Sequence, residues 1–147
     1  PNCKVDRYLR GDAAALDANE TEGLRLFRET GCVMCHAGKL LGGQSFERIG
    51  RTEDYFDSRG MKMTDADNGR YNVTKNEADR HAFKVPTLRN IAKTAPYLHD
   101  GSQTDLAKVV NIMAEKQLGK TLTADRTTKL VAFLNALTGE YEGSILQ

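Results

Sequence analysis

The chain has no tryptophan, and aromatic residues fill only 7% of its 147 positions. With 39% hydrophobic residues the prospective core is thin. A large apolar prosthetic group would relieve that shortage, although composition alone does not demand one. No charge of either sign dominates, since 21 Lys and Arg stand against 20 Asp and Glu. Nothing in that balance calls for nucleic acid or a lipid surface. No apolar run approaches the ~20 residues that cross a bilayer, so no membrane span is expected. A secretory signal is likewise not visible. The chain opens on Pro1 and Asn2, which reads as a mature or trimmed product. Cysteine is scarce, with Cys3, Cys32 and Cys35 making up the three. An odd number leaves Cys3 over; it reads as an incidental exposed thiol, with intermolecular pairing as the other reading. The length suits one compact domain.

Residues 1–16 form a polar, linker-like lead-in, and residues 17–147 hold the domain proper. Asp17 followed by Glu20 fits a capping box. Leu16, Leu24 and Phe27 then give one apolar stripe, and Gly31 ends the predicted helix just before Cys32. From Gly42 to about Ala82 no helical or strand period holds. So long an irregular stretch in a small domain is normally functional, and wrapping a planar cofactor would account for it; disorder is the plain alternative. Pro86 and Pro96 break any long helix in the next stretch. Thr87 to Lys93 suits a short helical turn, and His99-Asp100-Gly101 a tight one. A second helix is expected from about Thr104, with Leu106, Val109, Val110 and Met113 on one face. A last helix, capped by Thr123, is expected to run to Thr138 with the stripe Leu130, Phe133, Leu134 and Leu137, and Gly139 stops it. The class is all-α with long loops.

The string Cys32-Val33-Met34-Cys35-His36 carries the chemistry. CxxCH is the attachment signature of a c-type heme. Two thiols one helical turn apart match the spacing of the two heme vinyl groups, across which they add as thioethers. The histidine that follows lies beneath the ring and reaches the iron with one imidazole nitrogen, while the other usually donates to a carbonyl. A zinc site would need a fourth ligand from Cys3, His81 or His99, without a second paired cluster. A thioredoxin-like redox pair would need a βαβ setting that the pattern lacks.

The sixth ligand is left open by spacing. His81, His99, Met61, Met63 and Met113 are all candidates. Met34 sits inside the attachment turn and cannot swing to the far face. Met113 completes a helical stripe and reads first as core. Met61 and Met63 lie in the long irregular segment, and His81 and His99 read first as loop residues at the surface or in a hydrogen bond. A thioether favours ferrous iron and raises the potential, which suits electron transfer. Arg89 and Lys93 could neutralise a heme propionate or be ordinary surface charges. Gln44 and Phe46, after the glycine pair, could touch the cofactor.

Five stretches share a further likeness: DRYLRGD (Asp6 to Asp12), GLRLFRETGCVMCHAGKLLGGQSF (Gly23 to Phe46), FKVPTLRNIAKTAPYLHDGS (Phe83 to Ser102), MAEKQLG (Met113 to Gly119) and VAFLNALTG (Val131 to Gly139). Together they resemble the C-terminal domain of the bacterial di-heme cytochrome c peroxidases and the related MauG proteins, over nearly the whole chain. The resemblance implies a cytochrome c fold with long loops around one covalent heme c, the electron-entry heme, held by Cys32, Cys35 and the axial pair His36 and Met113. It thus turns Met113 from core to ligand. MauG-type proteins carry a tyrosine in that place, so Met113 points to the peroxidase branch. The resemblance also implies calcium, bound in part by the backbone carbonyls of Thr94 and Pro96. It implies a small cytochrome c or cupredoxin as donor, a second heme domain as acceptor, and the periplasm as location.

The departure from the family pattern is that only one CxxCH is present. The peroxide-reducing heme and its acid/base residues are not in this chain, and the start at DRYLRGD reads as an excised C-terminal domain. The expected role is electron transfer rather than catalysis by this chain alone. The alternatives are a stand-alone mono-heme carrier and a single-heme peroxidase whose methionine can leave the iron.

Overall fold

In a computed structural model, residues 2–142 and 144–145 are described. Among the described residues six α-helices run in chain order: α1 (Lys4–Leu9), α2 (Ala18–Thr30), α3 (Tyr55–Arg59), α4 (Tyr71–Thr74), α5 (Leu106–Leu118) and α6 (Ala124–Asn135). Four short strands make two antiparallel pairs: β1 (Phe46–Arg48) with β2 (Ala82–Lys84), and β3 (Glu140–Tyr141) with β4 (Ser144–Ile145). The fold is therefore mainly helical, as the sequence implied.

The frame is α2 crossed by α6. The predicted capping box is present: Asp17 accepts from the Glu20 amide (2.9 Å), and Glu20 accepts from the Asp17 amide (2.9 Å). Gly31, in the left-handed region at φ +102°, ends α2. Leu24, Leu26 and Phe27 are buried against Leu130, Phe133, Leu134 and Leu137, with the Phe27 and Phe133 rings 5.1 Å apart. The crossing is close enough that a side chain at Gly23 would meet the Lys129 carbonyl at 2.0 Å, so α2 needs glycine there. Helix α6 starts at the Thr123 cap but ends at Asn135; Leu137 completes the stripe from the turn beyond. Helix α5 is capped by Asp105, which accepts from the Ala107 amide (2.9 Å).

Two expectations are corrected near the N-terminus. The linker-like lead-in is folded into this same core, with Val5 and Leu16 buried. Cys3 is 1% exposed rather than a surface thiol. Its Sγ donates to Asp6 (3.0 Å), and Arg89 grips both oxygens of that carboxylate (2.7 and 2.9 Å). The arginine holds the Asp6 carboxyl down to about 2, against the burial that would raise it.

The segment from Gly42 to Ala82 is ordered in pieces too short to show a period. Strand β1 pairs with β2 in the register Phe46↔Lys84, Glu47↔Phe83 and Arg48↔Ala82. Between them lie α3, α4 and 3₁₀ turns at Asp65–Asn68 and Glu77–Asp79. Outside the α2–α6 core, Tyr55, Phe56, Ala82, Val85 and Tyr97 are also buried, and the Tyr55 and Phe56 rings pack on each other and beside His99 in a second small core. Its anchor is Asp67, fully buried. The Asp67 carboxylate accepts two bonds from Arg59 (both 2.8 Å), two from Thr64 (2.7 and 3.0 Å) and one from His99 Nε2 (2.7 Å). Five donors on one carboxylate, Arg59 first among them, hold its pKa far below the usual range.

A group whose folded pKa is depressed stabilises the fold in full above its unfolded value and loses that contribution as pH falls. Replacing Asp67→Ala should cost about 3–5 kcal/mol at pH 7, because it strands the buried Arg59. Below pH ~4 the gap between native and variant chains should close by about 1.4 kcal/mol per pH unit. Urea unfolding at pH 7 and pH 3 checks both; a gap independent of pH would rule out this anchor.

Candidate functional site

The Cys32–His36 stretch forms one turn directly beyond α2. Residues Cys32–Met34 are a 3₁₀ turn, and the Cys35 and His36 amides both donate to the Cys32 carbonyl (3.3 and 3.0 Å). Cys32 and Cys35 are half-buried, unbridged thiols. Burial pushes both thiols above their ordinary pKa. That is the reverse of a reactive redox pair, whose thiolate needs a lowered pKa.

The orientation of His36 is fixed from behind. Its Nδ1 lies 3.3 Å from the Leu41 carbonyl and 3.2 Å from the Pro86 carbonyl. Carbonyl oxygens only accept, so Nδ1 carries the hydrogen and Nε2 keeps its lone pair, the state a metal ligand requires. Burial lowers the imidazole pKa, and the two carbonyls oppose that only in part, so the neutral ring is favoured.

The Pro86 carbonyl reaches the ring because position 42 has no side chain. A Cβ at Gly42 would sit 2.1 Å from Pro86 O and 3.3 Å from His36 Nδ1, and its φ of +129° also favours glycine. The flanking backbone is stitched to the same segment by Gly43 N to Val85 O (2.8 Å), Val85 N to Ser45 O (2.9 Å) and Leu88 N to Leu41 O (3.1 Å). Sequence reasoning missed Gly42, Leu41 and Pro86 as parts of the site. The visible trace was the glycine pair after Leu40-Leu41 and the proline of FKVP, whose backbone roles only the fold reveals.

The remaining candidates lie in different settings. Met113 stands half-buried on α5, one residue before the buried Ala114. Met61 and Met63 are 57% and 45% exposed, outside any helix. His81 and His99 both turn to Asp67: His81 Nδ1 donates to its backbone carbonyl (2.7 Å) and His99 Nε2 to its carboxylate (2.7 Å). Asp67, His99 and Asp100 come close enough together to suggest a metal site, but Arg59 already occupies both carboxylates. Among the described residues no such grouping joins Cys32, Cys35 and His36 to a fourth ligand, so zinc finds no support.

Arg89 is not a loose surface charge. It ties Asp6 to the Lys39 carbonyl (2.5 Å to the latter). Lys93 is exposed. Phe46 lies under the Arg70 guanidinium at 4.6 Å, and the Gln44 amide folds over Gly38. Thr94 and Pro96 are exposed beyond the turn Ile91–Lys93. The donor set of two thiols and one lone-pair imidazole on a single turn fits a covalently held heme.

No family model matches the chain. It is 44% identical over 140 residues to the cytochrome c551 peroxidase of Nitrosomonas europaea, covering 95% of this chain and 40% of that protein. It is 44% identical over 141 residues to the cytochrome c peroxidase Ccp of Escherichia coli, covering 96% of this chain and 30% of that protein. A crystal structure of a MauG-like protein associated with microbial copper homeostasis superposes with a TM-score of 0.78 at 28% identity, over 95% of this chain and 49% of that one. The chain thus spans well under half the length of the curated relatives named here.

Gly42→Ala should destabilise the protein by about 1–3 kcal/mol more than Gly43→Ala. Both replace a glycine at positive φ, but nothing lies within 4 Å of a Cβ at Gly43, so the difference isolates the Pro86–His36 contact. Thermal unfolding of the two variants gives the comparison, and equal losses would count against the contact.

Proposed function

We propose that this chain, which matches a domain of the di-heme cytochrome c peroxidase and MauG family, is the electron-entry half of such a protein. On this reading it is a c-type cytochrome domain that passes single electrons through a His/Met-ligated heme. Its fold is that of a cytochrome c, with long loops around the cofactor. The observation that carries the reading is the His36 ring, which follows two thiols on one turn and whose Nδ1 proton is spent on two backbone carbonyls.

Heme c, when bound, supplies reversible one-electron chemistry. Cys32 and Cys35 would hold it through thioethers. His36, through Nε2, and Met113, through its thioether, would hold the iron. A thioether ligand stabilises the reduced state and raises the potential, as an electron-entry site requires. With two ligands supplied by the protein, each transfer would call for little rearrangement of this chain's side chains and would leave peroxide no place to bind.

The donor is then a small cytochrome c or cupredoxin, and the acceptor a second heme domain of the kind that would fill the remaining length of the relatives. Peroxide is reduced there. Thr94 and Pro96, exposed just beyond the turn Ile91–Lys93, would offer their carbonyls to a calcium ion shared with that domain. The compartment is the periplasm. The lead-in belongs to the domain, since Cys3, Val5 and Leu16 pack in the same core as α2 and α6.

Met113→Ala should lower the midpoint potential of the heme-loaded chain and abolish the weak ferric absorption band near ~700 nm expected of sulfur ligation. An unchanged spectrum and potential would remove Met113 from the iron. The heme-loaded chain should turn over hydrogen peroxide negligibly. Rapid turnover would instead establish the single-heme peroxidase with a methionine that can leave.

A further inference from the structure

Helix α5, which carries Met113, is fastened at its C-terminal end on two sides. On one side stands Gln117, one turn after Met113 and on the same face. Its side-chain oxygen accepts from the Gly50 amide (2.8 Å) and the Arg51 amide (3.0 Å), and its nitrogen donates to the Arg48 carbonyl (3.0 Å). Next to it the Lys116 carbonyl accepts from Thr52 N (2.9 Å) and Thr52 Oγ1 (3.0 Å). Three of the four hydrogen-bonding positions of the Gln117 amide are thus used on the backbone at the end of β1 and just after it.

On the other side, Gly119 turns the chain at φ +61° and delivers Lys120 to the end of α2. Lys120 Nζ donates to the Thr30 carbonyl (2.7 Å) and lies 3.4 Å from the Glu29 carbonyl. These are among the last carbonyls of α2, which lack partners within the helix and carry its negative partial charge, so an ammonium group is well placed there. Thr30 is followed by Gly31 and then by Cys32. The ammonium therefore joins the end of the methionine helix to the root of the turn that presents His36.

We infer that Gln117 and Lys120 are positioning residues for the axial pair. They hold the helix bearing Met113 in register with both segments that frame His36: the end of α2, through Lys120, and the strand-β1 side, through Gln117. The inference rests on Met113 being the sixth ligand. Methionine is a weak, flexible ligand with several rotatable bonds, so its grip depends on how firmly its backbone is placed. Loss of either tie lets the methionine spend more time off the iron.

Imidazole binding to the ferric, heme-loaded chain measures that directly. Lys120→Met and Gln117→Ala should each bind imidazole about tenfold more tightly than the native chain, the scale of one lost charge-assisted or multiple hydrogen bond. Lys120→Arg should restore near-native affinity. Lys4→Met, which removes a pair to Glu20 on the far end of α2, should leave it unchanged. If Lys120→Met does not fold, Gln117→Ala carries the test. Lower melting temperatures with native imidazole affinity would make the two ties merely structural and overturn the inference. Met113→Ala separates the two levels. Strong imidazole binding by it, with none gained in the clamp variants, defeats the clamp alone; no gain in Met113→Ala defeats the ligand assignment and the clamp with it.

Discussion

The hydrogen on His36 Nδ1 is the constraint around which this structure is arranged. It points at two carbonyls, Leu41 and Pro86, that lie far apart in sequence. Bringing them to one ring requires the Gly42 backbone to pass close to Pro86, and that passage is secured by the ladder of backbone bonds from Gly43, Ser45 and Leu41 to Val85 and Leu88. The FKVP segment is therefore the back wall of the histidine, and the paired strands β1 and β2 extend that wall. A ligand histidine needs both a chosen tautomer and a fixed ring plane. Backbone carbonyls supply both without adding a side chain whose own charge would compete at the site.

Two cores flank this wall, and they differ in how they are held. The α2–α6 core is apolar, closed by the Phe27–Phe133 contact and the near-touch at Gly23. The second core, beneath α3 and β2, is small and aromatic, and its centre is a charge. Burying Asp67 is tolerable because five donors meet its two oxygens; with fewer, desolvation would prevail. The same carboxyl group explains why His81 and His99, attractive on paper as iron ligands, are engaged elsewhere.

What the sequence disclosed follows from length scale. Helices of twelve or thirteen residues show several turns of their stripe, so α2, α5 and α6 were visible with their caps at Asp17 and Thr123. Elements of three to five residues, such as β1 and α3, complete no period, and the stretch containing them looked irregular. Long-range pairs leave no local trace at all. The bidentate grip of Arg89 on Asp6 joins residues 83 positions apart, and it draws Cys3 into the interior with it. The attachment turn was legible because its chemistry demands a fixed local spacing. The period does not place Met113, since a half-buried methionine on a helix satisfies the core and the ligand pattern equally well; only the resemblance favours the ligand.

The short MAEKQLGK stretch then takes on a connected physical sense. A ligand that bonds weakly must be delivered by something stiff, and helix α5 alone is not stiff with respect to α2, from which it is separated in sequence by most of the chain. Ending the helix at Gly119 lets the very next residue reach back across that separation, while Gln117 reaches the opposite way. Neither tie is apolar. Both are made to backbone atoms, which cannot rotate out of place as partner side chains can. Rigidity at the iron would then come from the hydrogen-bonded ends of elements rather than from the size of the core, which is the arrangement a chain with so few large side chains can sustain.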